Sequence, residues 1–311
     1  MKKNYGLWIL FIAAIAALLF WAGKNAWDNP AGMLRDGRPQ VVASFYPLYY
    51  FASQIAGDKA NVTVITPATV EPHDYELTPR DLERIVDSKM LVLNGGNLET
   101  WGDKIKNELA GSGVIVVIAG EGLANNDLTE NGRRIADPHI WLDPVLAKKE
   151  VENIENGFIK MDPANASYYQ TNAFALKARL DELDREYEGG LNSCRLREIV
   201  TSHASFGYLA ARYHLNQVAI GGVSPDAEPS SQAMAEIVDL VRLKGIKVIF
   251  FESLVSPKIS QTIAEETGAS TIVLDPLEGL TGADMKSGAD YMTVMRQNLK
   301  NLEVALQCEV M

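Results

Sequence analysis

Histidine and cysteine are both scarce in this chain, with four of one and two of the other among 311 residues. The cysteines, Cys194 and Cys308, lie far apart, which leaves two readings: a disulfide if the protein is exported, or two buried free thiols. No HExxH stretch is present, and no serine or cysteine stands in a nucleophile arrangement with a partnered base, so hydrolytic chemistry has little to work with. Basic residues are outnumbered, 29 against 40 acidic ones, for a net charge of −11. Four of the basic residues, Lys2, Lys3, Lys24 and Arg35, fall in the first 37 positions, so the body is more acidic than the whole. Such a surface excludes nucleic acid as a partner, because phosphates demand basic groups.

One long apolar run is present. Lys2 and Lys3 precede Leu7–Gly23, seventeen residues without a charge. No small-x-small cleavage pattern follows, and no cysteine near residue 23 offers a lipid attachment point. The run therefore reads as an N-terminal membrane anchor over 1–24, with its basic end cytoplasmic and the body outside. A cleaved signal segment is the alternative. Residues 25–39 follow as a short polar tether.

Three of the four histidines stand in short, distinctive patches. His73 lies in Glu-Pro-His-Asp-Tyr-Glu, His139 in Asp-Pro-His-Ile-Trp-Leu-Asp-Pro, and His203 in Thr-Ser-His-Ala-Ser-Phe-Gly. A fourth patch, Leu-Asp-Pro-Leu, carries Asp275. His214 sits near a helix end and reads as structural or solvent-exposed. Three neutral imidazoles and one carboxylate suit a borderline divalent cation such as zinc. The patches are 66, 64 and 72 positions apart, so only tertiary structure can assemble them. Glu71, Asp74, Asp137, Asp143 and Glu228 are candidates to orient the imidazoles by accepting from their second nitrogen. Glu252, at a strand end, is a further candidate and the rival to Asp275 as ligand.

From residue 40 the pattern alternates short β-branched runs with helical stretches. The strands expected are Val41–Phe45, Val62–Thr66, Met90–Leu93 and Val114–Ile118, then Glu198–Ser202, Gln217–Ile220, Val248–Phe251 and Thr271–Leu274. Between the two sets, Pro144–Met161 reads as one helix and Ala164–Glu188 as a second, started by Asp162-Pro163 and stopped at Gly189-Gly190. About 26 residues at ~1.5 Å each give a rod of roughly 39 Å. The fold class expected is α/β, two lobes with mostly parallel four-stranded sheets joined by a long rigid helix. The lobes are 40–143 and 191–311, with 144–190 as the helical linker. All four patches then lie beyond the carboxyl ends of strands, the ligand side of open α/β sheets, and face each other across the interlobe cleft.

These patches, together with Ser44-Phe-Tyr-Pro, Gly222-Val-Ser-Pro-Asp-Ala-Glu-Pro-Ser230 and Phe250-Phe-Glu252, resemble the metal-site segments of the solute-binding receptors of zinc/manganese ABC transporters. The resemblance covers roughly residues 40–308. It implies a cation captured in the cleft and delivered to a membrane permease, with no enzymatic activity, and a monomer is expected. It also implies His73, His139, His203 and Asp275 as metal ligands. A histidine at the third position, His203, is typical of the zinc receptors, where manganese receptors carry glutamate. Zn2+ is therefore the expected cargo ahead of Mn2+ or Fe2+. The chain departs from many zinc relatives in having no histidine in the stretch Gly122–Ala136. A secreted zinc hydrolase and a metal-binding adhesin are the alternatives. The cysteines, both in the C-terminal lobe and outside the metal patches, are assigned a structural disulfide.

Overall fold

The computed structural model describes residues 37–123, 126–130, 133–225 and 229–309. The Leu7–Gly23 run and Glu228 lie outside the described residues. Among the described residues no helix is long and apolar enough to cross a membrane. Pro39–Met311 forms one compact unit.

The N-terminal half is built on a four-stranded parallel sheet of order β2-β1-β3-β4, where β1 is Gln40–Ala43, β2 Asn61–Val64, β3 Met90–Leu93 and β4 Ile115–Ile118. Val41 pairs with Val62 on one side and Met90 on the other, and Met90 pairs with Ile115. Helices α1 (Tyr46–Ala56), α2 (Pro79–Val86) and α3 (Gly102–Glu108) supply the crossovers. An antiparallel hairpin, β5 (Asp127–Glu130) with β6 (Arg133–Ala136), occupies the stretch that the sequence marked only by its lack of histidine. The C-terminal half contains the four expected strands as two parallel pairs. These are β7 (Glu198–Thr201) with β8 (Asn216–Ala219), and β9 (Val248–Phe251) with β10 (Ser270–Val273). Helices α6 (Gly207–Arg212), α7 (Ser231–Lys244), α8 (Lys258–Thr267), α9 (Gly282–Ser287) and α10 (Tyr291–Leu306) complete it.

Between the halves run α4 (Pro144–Met161) and α5 (Ala166–Leu191). Asp143 caps α4, its side chain accepting from the amides of Val145 and Leu146, with Pro144 in the first position where no N–H is needed. Pro163 opens a short 3-10 turn before α5. The buried residues of α5 are Tyr169, Ala173, Leu176, Leu180, Leu183, Tyr187 and Leu191, a three-four spacing that makes one apolar stripe along all 26 residues. The helix does not stop at Gly189-Gly190 as expected. A Cβ at Gly190 would come within 2.4 Å of Glu303 Oε1 and 3.1 Å of Leu299 Cδ1, so this glycine lets α10 pack closely and is not a terminator.

Strand alternation explains how the cores are arranged. Val41, Ala43, Met90 and Val92 face a large core that also holds Trp141, Tyr169, Tyr187, Ile199, Phe206, Phe250 and Tyr291. Their neighbours Val42, Leu91 and Leu93 face a second, private core of the N-terminal half. In the same way Val200 and Ile249 face a private core of the C-terminal half, while Ile199, Val248 and Phe250 join the large one. One continuous apolar body thus runs along α4 and α5 through both halves. Cys194 and Cys308 are joined as a disulfide 114 residues apart in sequence, tying the segment after α5 to the end of α10.

Candidate metal centre

Each of the three singled-out histidines sits on a loop that follows a strand. His73 follows β2, His139 follows the hairpin and opens the 3-10 turn Ile140–Leu142, and His203 is two residues beyond β7. A fourth side chain meets them from the loop after β10, and it is Glu278. The Nε2 atoms of His73 and His203 lie 3.2 and 3.3 Å from His139 Nε2. Glu278 Oε1 lies 3.3, 3.2 and 3.4 Å from the Nε2 atoms of His73, His139 and His203. All four ligand atoms fall within 4.8 Å of one another, and all four residues are buried.

Those distances carry chemical information. Five of the six edges of the tetrahedron are 3.2–3.4 Å. A regular tetrahedron of that edge has its centre about 2.0 Å from each corner, which is the bond length of zinc to imidazole nitrogen or carboxylate oxygen. The orientation of the rings agrees. His139 Nδ1 donates to Asp137 Oδ1 at 2.8 Å, and His203 Nδ1 donates to Glu252 Oε1 at 2.7 Å. With the proton held on Nδ1, each neutral ring turns a lone pair toward the centre. Glu278 Oε1 is buried and no conventional hydrogen bond satisfies it. Converging lone pairs and a carboxylate in a water-poor pocket repel one another unless a proton or a cation stands between them.

The proton affinities reflect this crowding. Burial works against a charged His203, yet the charges of Glu252 and Glu278 outweigh it and raise its pKa well above the ordinary imidazole value. His139 is also raised, burial again opposing and Asp137 and Glu278 prevailing. His73 is lowered, chiefly by burial, with Glu278 opposing and the charges of His139 and His203 adding to the fall. Glu278 is held well below the usual carboxylate range: burial opposes, but the charge of His203 and the close approach of the three imidazoles win. Glu71 is pushed up to about 10 by burial and by Glu278.

Asp275 is corrected as a ligand: it does not belong to the group of converging atoms. Its Oδ2 accepts from Ser253 Oγ at 2.6 Å, and its Oδ1 from the Leu277 amide at 2.7 Å. The second bond folds the chain back on itself, Leu277 adopts φ 61, and the next residue, Glu278, enters the cluster. Asn298 clamps both backbone groups of Asp275, and Trp141 Nε1 donates to Pro276 O at 2.7 Å. Burial raises Asp275 to about 6 although Ser253 and Leu277 hold it down. Its part is to shape the loop that delivers Glu278. The signal that could have found Glu278 is a carboxylate two residues past the Asp275-Pro276 pair that follows the last strand, itself followed by glycine.

The candidate orienting carboxylates separate clearly. Asp137 and Glu252 each hold an imidazole, and each also accepts its own histidine's backbone N–H, at 3.0 and 3.1 Å. Glu252 is therefore behind His203 and not in the place of a ligand. Asn126 Nδ2 steadies Asp137 Oδ2 at 3.0 Å, and a Cβ at Gly207 would come within 2.6 Å of that same oxygen. Glu71 accepts from the amide of His73, at 3.4 Å, and not from its ring among the described residues. Asp74 is exposed, and Asp143 is committed to the cap of α4. His214 is exposed, with φ 58, outside the cluster.

Comparisons with known proteins show the family to which the chain belongs. The sequence profile described as "Zinc-uptake complex component A periplasmic" matches residues 41–305. The high-affinity zinc uptake system protein ZnuA of Bacillus subtilis is 37% identical over 311 residues, covering 96% of this chain and 97% of that protein. The crystal structure of Zn(II)-bound AdcA from Streptococcus pneumoniae superposes with a TM-score of 0.77 at 39% identity. That match covers 88% of this chain but only 59% of AdcA. The laminin-binding protein Lmb of Streptococcus agalactiae, titled a bifunctional protein with adhesin and metal transporting activity, superposes with a TM-score of 0.79 at 34% identity. It is covered over 99% of its length by 86% of this chain. The two-half α/β fold, the long helix and a profile match over most of the chain place this protein in the family of zinc-uptake complex component A, the periplasmic zinc-binding receptors.

Proposed function

We propose that this protein is the extracytoplasmic receptor of a metal ABC uptake system, capturing Zn2+ between His73, His139, His203 and Glu278 and delivering it to a membrane permease. The observation that carries this reading is the tetrahedral cluster of four ligand atoms, five of whose six edges are 3.2–3.4 Å. Three imidazoles favour zinc over manganese, which prefers oxygen. Four protein ligands close a tetrahedral site and leave no position for a reactive water, which supports a receptor over a hydrolase. Titration calorimetry with a competing chelator tests it: one zinc per chain is expected, bound more tightly than manganese. A chain that takes up no zinc would remove the proposal.

The organisation that serves this function is two lobes, 40–143 and 191–311, linked by 144–190, acting as a monomer. Leu7–Gly23 would hold the body at the outer face of the membrane. Recovery of the full chain in the membrane fraction, and of a chain lacking residues 1–24 in the soluble fraction, is the expected outcome. The likeness to Lmb supports adhesion as a second reading, which binding to immobilised laminin would test separately from zinc uptake.

A further inference from the structure

The loops bearing His73 and Glu278 meet at a second point besides the metal ligands. The Leu280 amide donates to Ala68 O at 2.8 Å. Between these two residues there is no room for a side chain on Gly279. A Cβ placed there would lie 2.1 Å from Ala68 O, 3.0 Å from Ala68 C and 3.0 Å from Leu254 Cδ1. The two nearest of these atoms are backbone, so a collision would be relieved only by moving the whole Ala68 segment. Leu277 and Leu280 are both buried, and Asn298, Trp141 and Asp275 clamp the chain just before Glu278. The Glu278 loop is thus the fixed jaw. The His73 loop is the one that must be held against it, because among the described residues no carboxylate or carbonyl accepts from His73 Nδ1.

We infer that the Ala68–Gly279–Leu280 contact is a latch that keeps the His73 loop closed over the captured ion, and that Gly279 is the positioning residue that allows it to shut. The inference rests on the zinc-receptor reading and adds to it a control on release. Gly279 touches no ion and offers no ligand atom. Its missing side chain sets how closely Ala68 O approaches, and so how often His73 leaves the coordination sphere.

The test is the rate at which zinc-loaded full-length protein surrenders its ion to excess chelator in a stopped-flow mixer. Gly279→Ala and Gly279→Val should release zinc about two- to tenfold faster than the parent, the scale of one lost backbone hydrogen bond. Gly282→Ala should release at the parent's rate, because a Cβ there meets nothing within 4 Å. The visible absorption of the cobalt-loaded proteins should stay tetrahedral in every variant, since the ligands are intact. A parent-like rate in Gly279→Ala would overturn the latch, as would fast release accompanied by loss of that absorption. Failure of the parent itself to bind zinc would instead mark failure of the receptor reading. If the variants do not fold, hydrogen exchange in the unchanged chain decides. The Leu280 amide should exchange at least about tenfold faster after zinc is stripped, and equal exchange with and without zinc would overturn the proposal.

Discussion

His139 and His203 on one side, and His73 and Glu278 on the other, reach the same point by different means. The first two histidines are fully buried, each backed by a carboxylate that holds the ring and the backbone of the same residue. The other pair comes from loops further from their strands. Among the described residues His73 has no such backing, and Glu278 depends on a turn shaped by Asp275 and braced by Asn298 and Trp141. One half of the centre is pre-set by the strand ends, the other is assembled by loop against loop. The difference teaches where affinity and exchange are divided: the backed pair sets geometry, the loop pair sets access.

The largest expected effect breaks the backed pair. Replacing His139 or His203 by alanine would remove a ligand and leave a buried Asp137 or Glu252 without its imidazole donor. We expect zinc affinity to fall by about a thousandfold or more, measured by chelator competition. His73→Ala should lose less, because no buried partner is orphaned; equal losses at all three would erase the distinction. The carboxylates sharpen the loop side. Glu278→Gln should cost about a hundredfold in affinity, whereas Asp275→Asn should cost less and keep one zinc per chain, since it acts through the loop. A reversed order would restore Asp275 as the ligand. Behind the rings, Asp137→Asn and Glu252→Gln should each weaken binding by about ten- to a hundredfold.

Acidity probes the same division. His203 and His139 have raised proton affinities in the metal-free fold, so zinc must displace protons from them. Affinity should therefore decline as the pH falls from about 7 to about 5. The stability of the metal-free protein should move the opposite way. A raised folded-state pKa contributes stability that is full below the unfolded value of about 6.5 and is lost as pH rises through the folded value. The gain in melting temperature on adding zinc should thus shrink on acidification; a constant gain would show that these imidazoles do not titrate with binding. The smallest effect on binding belongs to the disulfide. Cys194→Ser with Cys308→Ser should leave one zinc per chain while lowering stability by up to about 4–5 kcal/mol for a closed loop of this length, read by denaturant unfolding.

The sequence was most legible where short-range patterns suffice. All eight expected strands are present, most with ends shifted by one or two residues, because β-branched runs between helical stretches leave little choice. Three of the four converging side chains stand out in the sequence as histidines in a chain that uses histidine sparingly. Glu278 was hidden because its entry depends on a left-handed Leu277 and on support from Asn298 and Trp141, distant in sequence. Asp275, at the strand end, looked better placed until the turn it makes was seen. Gly189-Gly190 misled for a related reason: glycine was read for its backbone freedom, when Gly190 is used for the space it leaves to α10. The hairpin at Asp127–Ala136 carried no strong apolar alternation to announce it.

The apolar body shared by both halves has a consequence for how the protein melts. Phe45 and Phe51 from the first half and Tyr291 and Phe250 from the second belong to one packed cluster, with Phe51 and Tyr291 rings 4.9 Å apart. Neither half can lose its interior without exposing the other's, so the body should unfold as a single cooperative unit at every zinc level. Cargo bound at the cleft then stabilises the entire body by mass action, not merely the loops that touch it. The fraction of receptor that survives heat or proteolysis becomes a readout of the free zinc around it.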